Sequence, residues 1–499
     1  MKWLGILFGV LTTIIIGIYV LLFTSIGHGI LLPIASEKIK DATKVKSVQF
    51  TNFTLSMNKI DMVLNLDGEL VKIKGNYDVF SRTLDISYEV IIKNIATFAK
   101  ASGIPIRGDF KTKGKVSGTF DNIFVKGDAI TANGGIDYNL NPKDNDIVDI
   151  SFDLKNISLQ KLLWMLGKPL YTEAKIFSKG KIASLNKLNG EIITIVKDGI
   201  LNYPVVKKEF DIELPTKPIY DLHVKTNLKN KKATSIIDFN TFVANIDTAK
   251  SIFDLKTGVF TTDYTLIVPS LAKLYFISKQ KMRGDLRITG DVKFDKKLLA
   301  TFNLKEFDGV INGKLQGDKL NVDAKGIQML KLLHTMYYPE IFKSPVNLDL
   351  DYNLVSKKGT SKLTSTNGQF LTNQTMDALK KLTRYDMTLE VYNTINLDTS
   401  INDTFLANKL IMKSKNSKIK SNKLNLDTKK SLIDADIDLE YRDFKVGIGL
   451  AGDIANPNID LDTSDIIKVN IKKEAKRQID KHLGDKIDKN VEDLLKKLF

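Results

Sequence analysis

Ile106-Arg107-Gly108-Asp109-Phe110-Lys111-Thr112-Lys113-Gly114-Lys115-Val116 has a near copy at Met282-Arg283-Gly284-Asp285-Leu286-Arg287-Ile288-Thr289-Gly290-Asp291-Val292. In the first copy Phe110, Thr112, Gly114, Val116, Gly118 and Phe120 occupy alternate positions, with Lys111, Lys113, Lys115 and Ser117 between them. Successive side chains of a strand point to opposite faces, so this stretch reads as a strand with one apolar and one charged side. A short apolar segment precedes each copy and a series of alternating segments follows. The pair therefore marks one repeated structural step: a helix ends, a glycine turns and a one-sided strand begins. Arg107 and Asp109 read as outward-facing residues of the strand start, and the Arg-Gly-Asp tripeptide as incidental.

The same period recurs on either side. Ile60, Met62, Leu64 and Leu66 alternate with polar residues as far as Asp67-Gly68, and Leu84, Ile86, Tyr88, Val90 and Ile92 follow Gly75-Asn76. Asp-Gly and Gly-Asn between alternating runs are hairpin signals. Further on, Leu222 and Val224 oppose Asp221, His223 and Lys225; Leu348 and Leu350 oppose Asn347, Asp349 and Asp351; Ile437 and Leu439 oppose Asp436, Asp438 and Glu440. These outward acids lack the Asp-x-Asp-x-Asp-Gly spacing of a calcium loop and read as a solvated sheet face. Helical pauses interrupt the strands near 94–101, 157–167, 270–277 and 327–338. The second and third stand about twice as far apart as the others, as if one helix had been lost between them. The pattern predicts a mainly β chain over 49–463: an elongated, curled antiparallel sheet with short interspersed helices.

The ends differ. Residues 3–23 carry no charge, and about 20 apolar residues span a bilayer core. Residues 1–32 therefore read as a transmembrane signal anchor with a short cytoplasmic tail, in preference to a signal peptide cleaved after Ala35 or Ser36. Residues 33–48 read as a juxtamembrane helix. From 464 to 499, Ile467, Ile471, Ala475, Ile479 and Leu483 form a stripe among Lys472, Lys473, Lys476 and Arg477, the pattern of basic amphipathic helices that dock on a sheet, a membrane or a protein partner.

Composition narrows the chemistry. The 499-residue chain carries a net charge of +16, which favours anionic partners. Aromatic residues form no base-stacking platform and no nucleic-acid motif occurs, so an anionic lipid surface fits better than nucleic acid; lysine-rich coding is the other account of the charge. Cysteine is absent, and the four histidines, His28, His223, His334 and His482, form no ligand or catalytic pair. No phosphate-binding glycine loop is present. The expectation is a protein that is not an enzyme, with no cofactor and no metal.

One-sided strands on this scale present more apolar surface than the short helices cover, so the faces pack on each other or line a groove. Several stretches resemble the AsmA-like, TamB-related family of Gram-negative envelope proteins. They are the anchor leading to Leu32-Pro33-Ile34, the pause at Ser158 to Leu166, and the run from Gly180-Lys181-Ile182 through Asn189-Gly190-Glu191 to Asp198-Gly199-Ile200. The last is Leu450 to Asp460, with Gly452 and Pro457. The resemblance implies an inner-membrane anchor, a periplasmic β-groove with an apolar lining, and movement of phospholipid between inner and outer membranes. On this reading the groove is lined by Phe110, Val116, Phe120, Leu222 and Val224, by Leu286, Ile288 and Val292, and by Leu348, Leu350, Ile437, Leu439, Val446 and Ile448. The partners are phospholipid acyl chains, the inner membrane through 3–23, and an outer-membrane or periplasmic protein at the C-terminal helices. The alternatives are a scaffold for outer-membrane protein assembly and a non-transporting structural β-protein.

Overall fold

The computed structural model describes residues 31–56, 58–98, 106–143, 146–215, 218–373, 376–377, 380–381, 385–442, 444–454 and 457–462, with Ser464, Glu474 and Arg477 beyond them. Residues 1–30 of the anchor read over 1–32, and nearly all of the amphipathic tail, lie outside the described residues. Among those described, no helix is long and apolar enough to cross a membrane. The helix expected after the anchor runs Leu31–Thr43 and buries Ile39 in the first core cluster.

The chain divides into two compact units, Met1–Pro269 with Lys273–Lys279, and Ser270–Ala272 with Gln280–Phe499. In the first, fourteen described strands from Val48–Leu55 to Phe260–Val268 follow one another, each antiparallel to its neighbour in sequence. In the second, twelve strands from Leu286–Asp295 to Asn458–Asp462 do the same. A separate two-stranded ribbon pairs Phe342–Lys343 with Gln369–Phe370. The mainly β, antiparallel reading of the sequence holds for both units.

The Asp67-Gly68 turn is present, with φ of 51° and 93°, the positive pair a tight hairpin demands. Its aspartate has a second task. The carboxylate accepts hydrogen bonds from the Lys46 and Ser47 backbone N–H groups, each at 2.7 Å, and these hold it below the usual aspartate range. The turn expected at Gly75-Asn76 is absent. Both residues lie inside the strand Glu69–Asp78, and a Cβ on Gly75 would collide with the Asp85 carbonyl. This glycine serves close backbone approach rather than a reversal.

The face read as apolar is the buried one. Ile60, Met62, Ile73, Ile86, Val90 and Ile92 are at most 1% exposed, and each such side chain contributes about 1.5–3 kcal/mol by leaving water. One core cluster joins Ile60 of the second strand to Phe152 of the eighth, so the face closes over itself here. The centre of this closed part is polar. The Tyr88 and Tyr138 hydroxyls lie 2.6 Å apart, and Thr112 Oγ1 is 2.6 Å from Tyr138 Oη. In register the row reads Tyr88, Gly114, Gly127, Tyr138. A Cβ at Gly114 would come within 2.5 Å of the Tyr88 hydroxyl, and one at Gly127 within 2.6 Å of both hydroxyls. The glycines make the room in which the phenols meet, and burial pushes both phenol pKa values up.

Strands alternate in direction, so the ends of all even-numbered strands share one edge of a unit. Every described helical insert follows such a strand. Ile95–Phe98 comes after the fourth strand, Leu159–Met165 after the eighth, Tyr203–Phe210 after the tenth and Tyr275–Ser278 after the fourteenth of the first unit; Met329–Thr335 and Met387–Leu389 come after the fourth and sixth of the second. The Tyr203–Phe210 helix occupies the gap from which a helix had looked lost. Asn202 precedes it in extended conformation and Pro204 sits in its first turn, where a missing N–H costs nothing.

In the second unit, Glu390 is buried at the end of the Met387–Leu389 turn. It accepts from Ser414 Oγ at 2.7 Å, Asn416 Nδ2 at 2.8 Å and Tyr441 Oη at 3.0 Å. Burial pushes its carboxyl up, but these hydrogen bonds outweigh it and hold the pKa below the ordinary glutamate value. A carboxylate whose folded pKa is depressed adds stability that is present above its unfolded value, about 4.3, and lost as pH falls through the folded one. Urea denaturation of the second unit should weaken with acidification in that window, and Glu390→Gln should lower stability at pH 7 while flattening the acid dependence. In the first unit, Val90→Ala, at a fully buried position, should cost about 2–3 kcal/mol. Val224→Ala, on the half-buried stretch of the same face, should cost about 1 kcal/mol or less by the same measurement.

Candidate functional site

The apolar face is not equally closed along its length. Phe110 and Val116 are 2% and 6% exposed within the first core cluster, and Phe120, just past its strand, packs against that cluster half-buried. From the eleventh strand of the unit onward the cover thins. Leu222 pairs with Phe239 and Val224 with Ile237, and all four side chains are half-buried. Phe253, on the next strand and opposite Ala233, is 37% exposed. A line of small hydroxyl side chains crosses this stretch: Thr226 with Ser235 and Ser251 with Thr262, each pair 2.8 Å apart, with Ser235 and Ser251 in register. Their hydrogen bonds satisfy one another, and flanking apolar rows remain partly open.

The second unit repeats the contrast. Leu286, Ile288 and Val292 are half-buried. Leu348 and Leu350 stand opposite Ala324 and Val322 on one strand and opposite Leu363 and Ser361 on the other, again half-buried. Near the far end, Leu439 pairs with Val446 and Ile437 with Ile448. Leu439 and Val446 are 2% and 1% exposed, while Ile437 and Ile448 pack against their cluster half-buried. Within each unit the residues singled out in the sequence lie on the apolar face: Phe110, Val116, Leu439 and Val446 are buried in core clusters, and the others are half-buried.

The paired Arg-Gly-Asp stretches need a correction. The arginines are not idle surface charges. Arg107 donates from its backbone N–H to the Met165 carbonyl at 3.0 Å and from Nε to the Trp164 carbonyl at 2.9 Å, with its guanidinium 4.4 Å from the Trp164 ring centroid. Arg283 repeats the backbone bond, to Thr335 at 2.9 Å, and stacks on Tyr337 at 3.9 Å. The glycines have φ of 116° and 98°, which only glycine adopts without strain. Their carbonyls accept from Ile95 and Leu271 respectively. Each copy thus ties the short 3₁₀ turn before it to a helix more than fifty residues later. Those helices match as well: Leu166 N–H bonds Leu162 and Lys168 bonds Leu163, as Met336 bonds Leu332 and Tyr338 bonds Leu333. A lone arginine in sequence carries no sign of a partner so distant, so the clamp was not legible there.

Among the described residues, no group of three or more His, Asp or Glu side chains is placed to hold a metal ion. His223 lies 3.6 Å from Asp238 and His334 lies 2.7 Å from Glu340, each pair on the exposed side.

The clamp predicts a spectroscopic effect. In a Trp3→Phe background Trp164 is the sole tryptophan, since the chain has two. Arg107→Gln should then shift its emission to the red and increase quenching by acrylamide, because the stacked cation and the Nε bond are both lost; unchanged emission would show that the contact does not hold the helix. No protein-family model, curated protein or solved structure matches the chain.

Proposed function

We propose that this protein shields the acyl chains of phospholipid on the partly open apolar face of its sheets and helps to move phospholipid between the inner and outer membranes of a Gram-negative envelope, held to the inner membrane by residues 3–23. The observation that carries the reading is the row Leu222, Val224, Ile237 and Phe239. It lies on the same face as the closed core, yet its apolar side chains are only half covered. Apolar surface left in water costs about 25 cal/mol per Å², and a lipid tail laid along the row would recover it without demanding a specific hydrogen bond. The outer face, dressed with lysine and aspartate pairs such as Lys179–Asp153 at 3.2 Å, suits an aqueous compartment. The mechanism is passive shielding, with tails on the apolar face and head groups in water, and any energy input comes from a partner. The basic tail 464–499 is the segment assigned to that partner or to a membrane surface.

Leu222→Glu with Leu350→Glu tests this. Both sites are half-buried, so a carboxylate can reach water without unfolding the sheet, while each makes the lining hostile to a tail. Native mass spectrometry of the detergent-extracted protein should find co-purifying phospholipid in the wild type, and at least a tenfold reduction in the variant. Absence of lipid from the wild type, or equal lipid in a folded variant, would overturn the assignment.

A further inference from the structure

The two copies of the clamp share a backbone and differ in what fills it. In the first unit Met165, 1% exposed, packs under Gly108, where a Cβ would meet its Cγ at 3.0 Å. The matching residue of the second unit is Thr335, and nothing lies within 4 Å of a Cβ placed on Gly284. Trp164 is likewise matched by His334. Removing that bulk leaves a cleft of about 830 Å³ beside Gly284, bounded by the Phe307-Asp308 turn and the Met329–Thr335 helix. This is the size of small-molecule sites.

Arg283 lines the cleft. Its counterpart Arg107 gives its Nε proton to a carbonyl, but the Arg283 Nε is buried and has no hydrogen-bond partner. A buried donor left in that state costs about 1–3 kcal/mol, more for a charged group, and a turn of the guanidinium toward an acceptor in the cleft would remove the cost. The remaining charges narrow the ligand. Lys331 is paired with Asp308 at 2.6 Å, and Glu340 lies 2.7 Å from the His334 Nδ1. Arg283 and Lys305 are left together with Asp285 and Glu306. A simple anion would satisfy the cations and face the acids unmatched, and a simple cation would do the reverse.

We propose that this cleft binds a phosphoethanolamine group, its phosphodiester oxygens accepting from Arg283 and attracted by Lys305, its ammonium facing Asp285 and Glu306. Guanidinium forks match phosphate oxygens in geometry as well as charge. The site stands on the packing of the second unit and holds whether or not the apolar face carries lipid tails. The group reaches it either as the head of a phospholipid or as a soluble phosphodiester.

Calorimetric titration of the full-length protein in non-ionic detergent separates these sources. The probes are glycerophosphoethanolamine, dihexanoyl-phosphatidylethanolamine and inorganic phosphate. At least one zwitterion should bind, and inorganic phosphate at least tenfold more weakly. Binding of the short-chain lipid alone assigns the site to lipid, and binding of both assigns it to the head group by itself. Thr335→Met, which restores the filling found in the first unit, and Arg283→Gln should each weaken binding at least tenfold, with Lys113→Gln in the first unit leaving it unchanged. Circular dichroism and an unaltered thermal transition establish that the variants are folded. The proposal is overturned if neither zwitterion binds, if inorganic phosphate binds equally well, or if either cleft variant, folded, binds as the wild type does.

Discussion

A meander of one-sided strands pairs the backbone of its inner strands on both edges and satisfies its side chains only by half. Each inner strand pairs with the one before and the one after, so hydrogen bonding alone sets no limit on the number of strands. The limit comes from the apolar face, which has to be hidden. In the first unit the early strands hide it by closing the face on itself, with the Tyr88–Tyr138 contact bridging the space above Gly114 and Gly127. Later strands keep the same alternation but carry Thr226, Ser235, Ser251 and Thr262 across the middle, where paired hydroxyls stand in place of bulky apolar side chains. Closed core and half-covered stretch are thus made from the same period.

The helical inserts add little core of their own. Their part is to secure the strands at the edge where direct turns give way to longer connections. The arginine clamp does this by reaching from the start of one strand group to the helix that ends it, so four strands are bracketed by a single side chain in each copy. Stacking on Trp164 or Tyr337 leaves the guanidinium partly hydrated, and a cation on an aromatic face contributes about 0.5–2 kcal/mol under such conditions. Once the backbone of the bracket is held by its own bonds, the side chains inside it are free to diverge. Met165 and Thr335 show that divergence.

Much of the fold was legible because burial has a period. Alternation at Ile60 to Leu66 and at Val346 to Tyr352 named the inner face correctly, although Leu354, the last of that run, lies past the strand and is exposed; apolar runs without alternation marked four helical pauses. What failed lacked a local signal or gave an ambiguous one. Gly75 resembles a turn glycine in sequence, and only the nearness of Asp85 on the next strand explains it. The Tyr203–Phe210 helix was hidden by its own residues, since Pro204, Val205 and Val206 favour extended structure; its signal was Asn202 followed by a first-turn proline. At the site, the identity of the apolar face could be read from one residue in two, but its degree of cover could not. Leu439 and Leu350 look alike in sequence, and they differ because Leu439 meets Val446 within a packed cluster whereas Leu350 faces Val322 and the small Ser361.

That every described helical insert sits on one edge has a consequence for how such a chain can change its length. Between the described inserts of the first unit lie four strands, then two, then four. All these numbers are even, and they must be: one added strand would reverse the direction of all that follow and send the next helix to the opposite edge. The currency of growth is therefore the hairpin. Descendants of this architecture can gain or lose strands in pairs, tens of residues at a time, while each remaining bracket stays in working order.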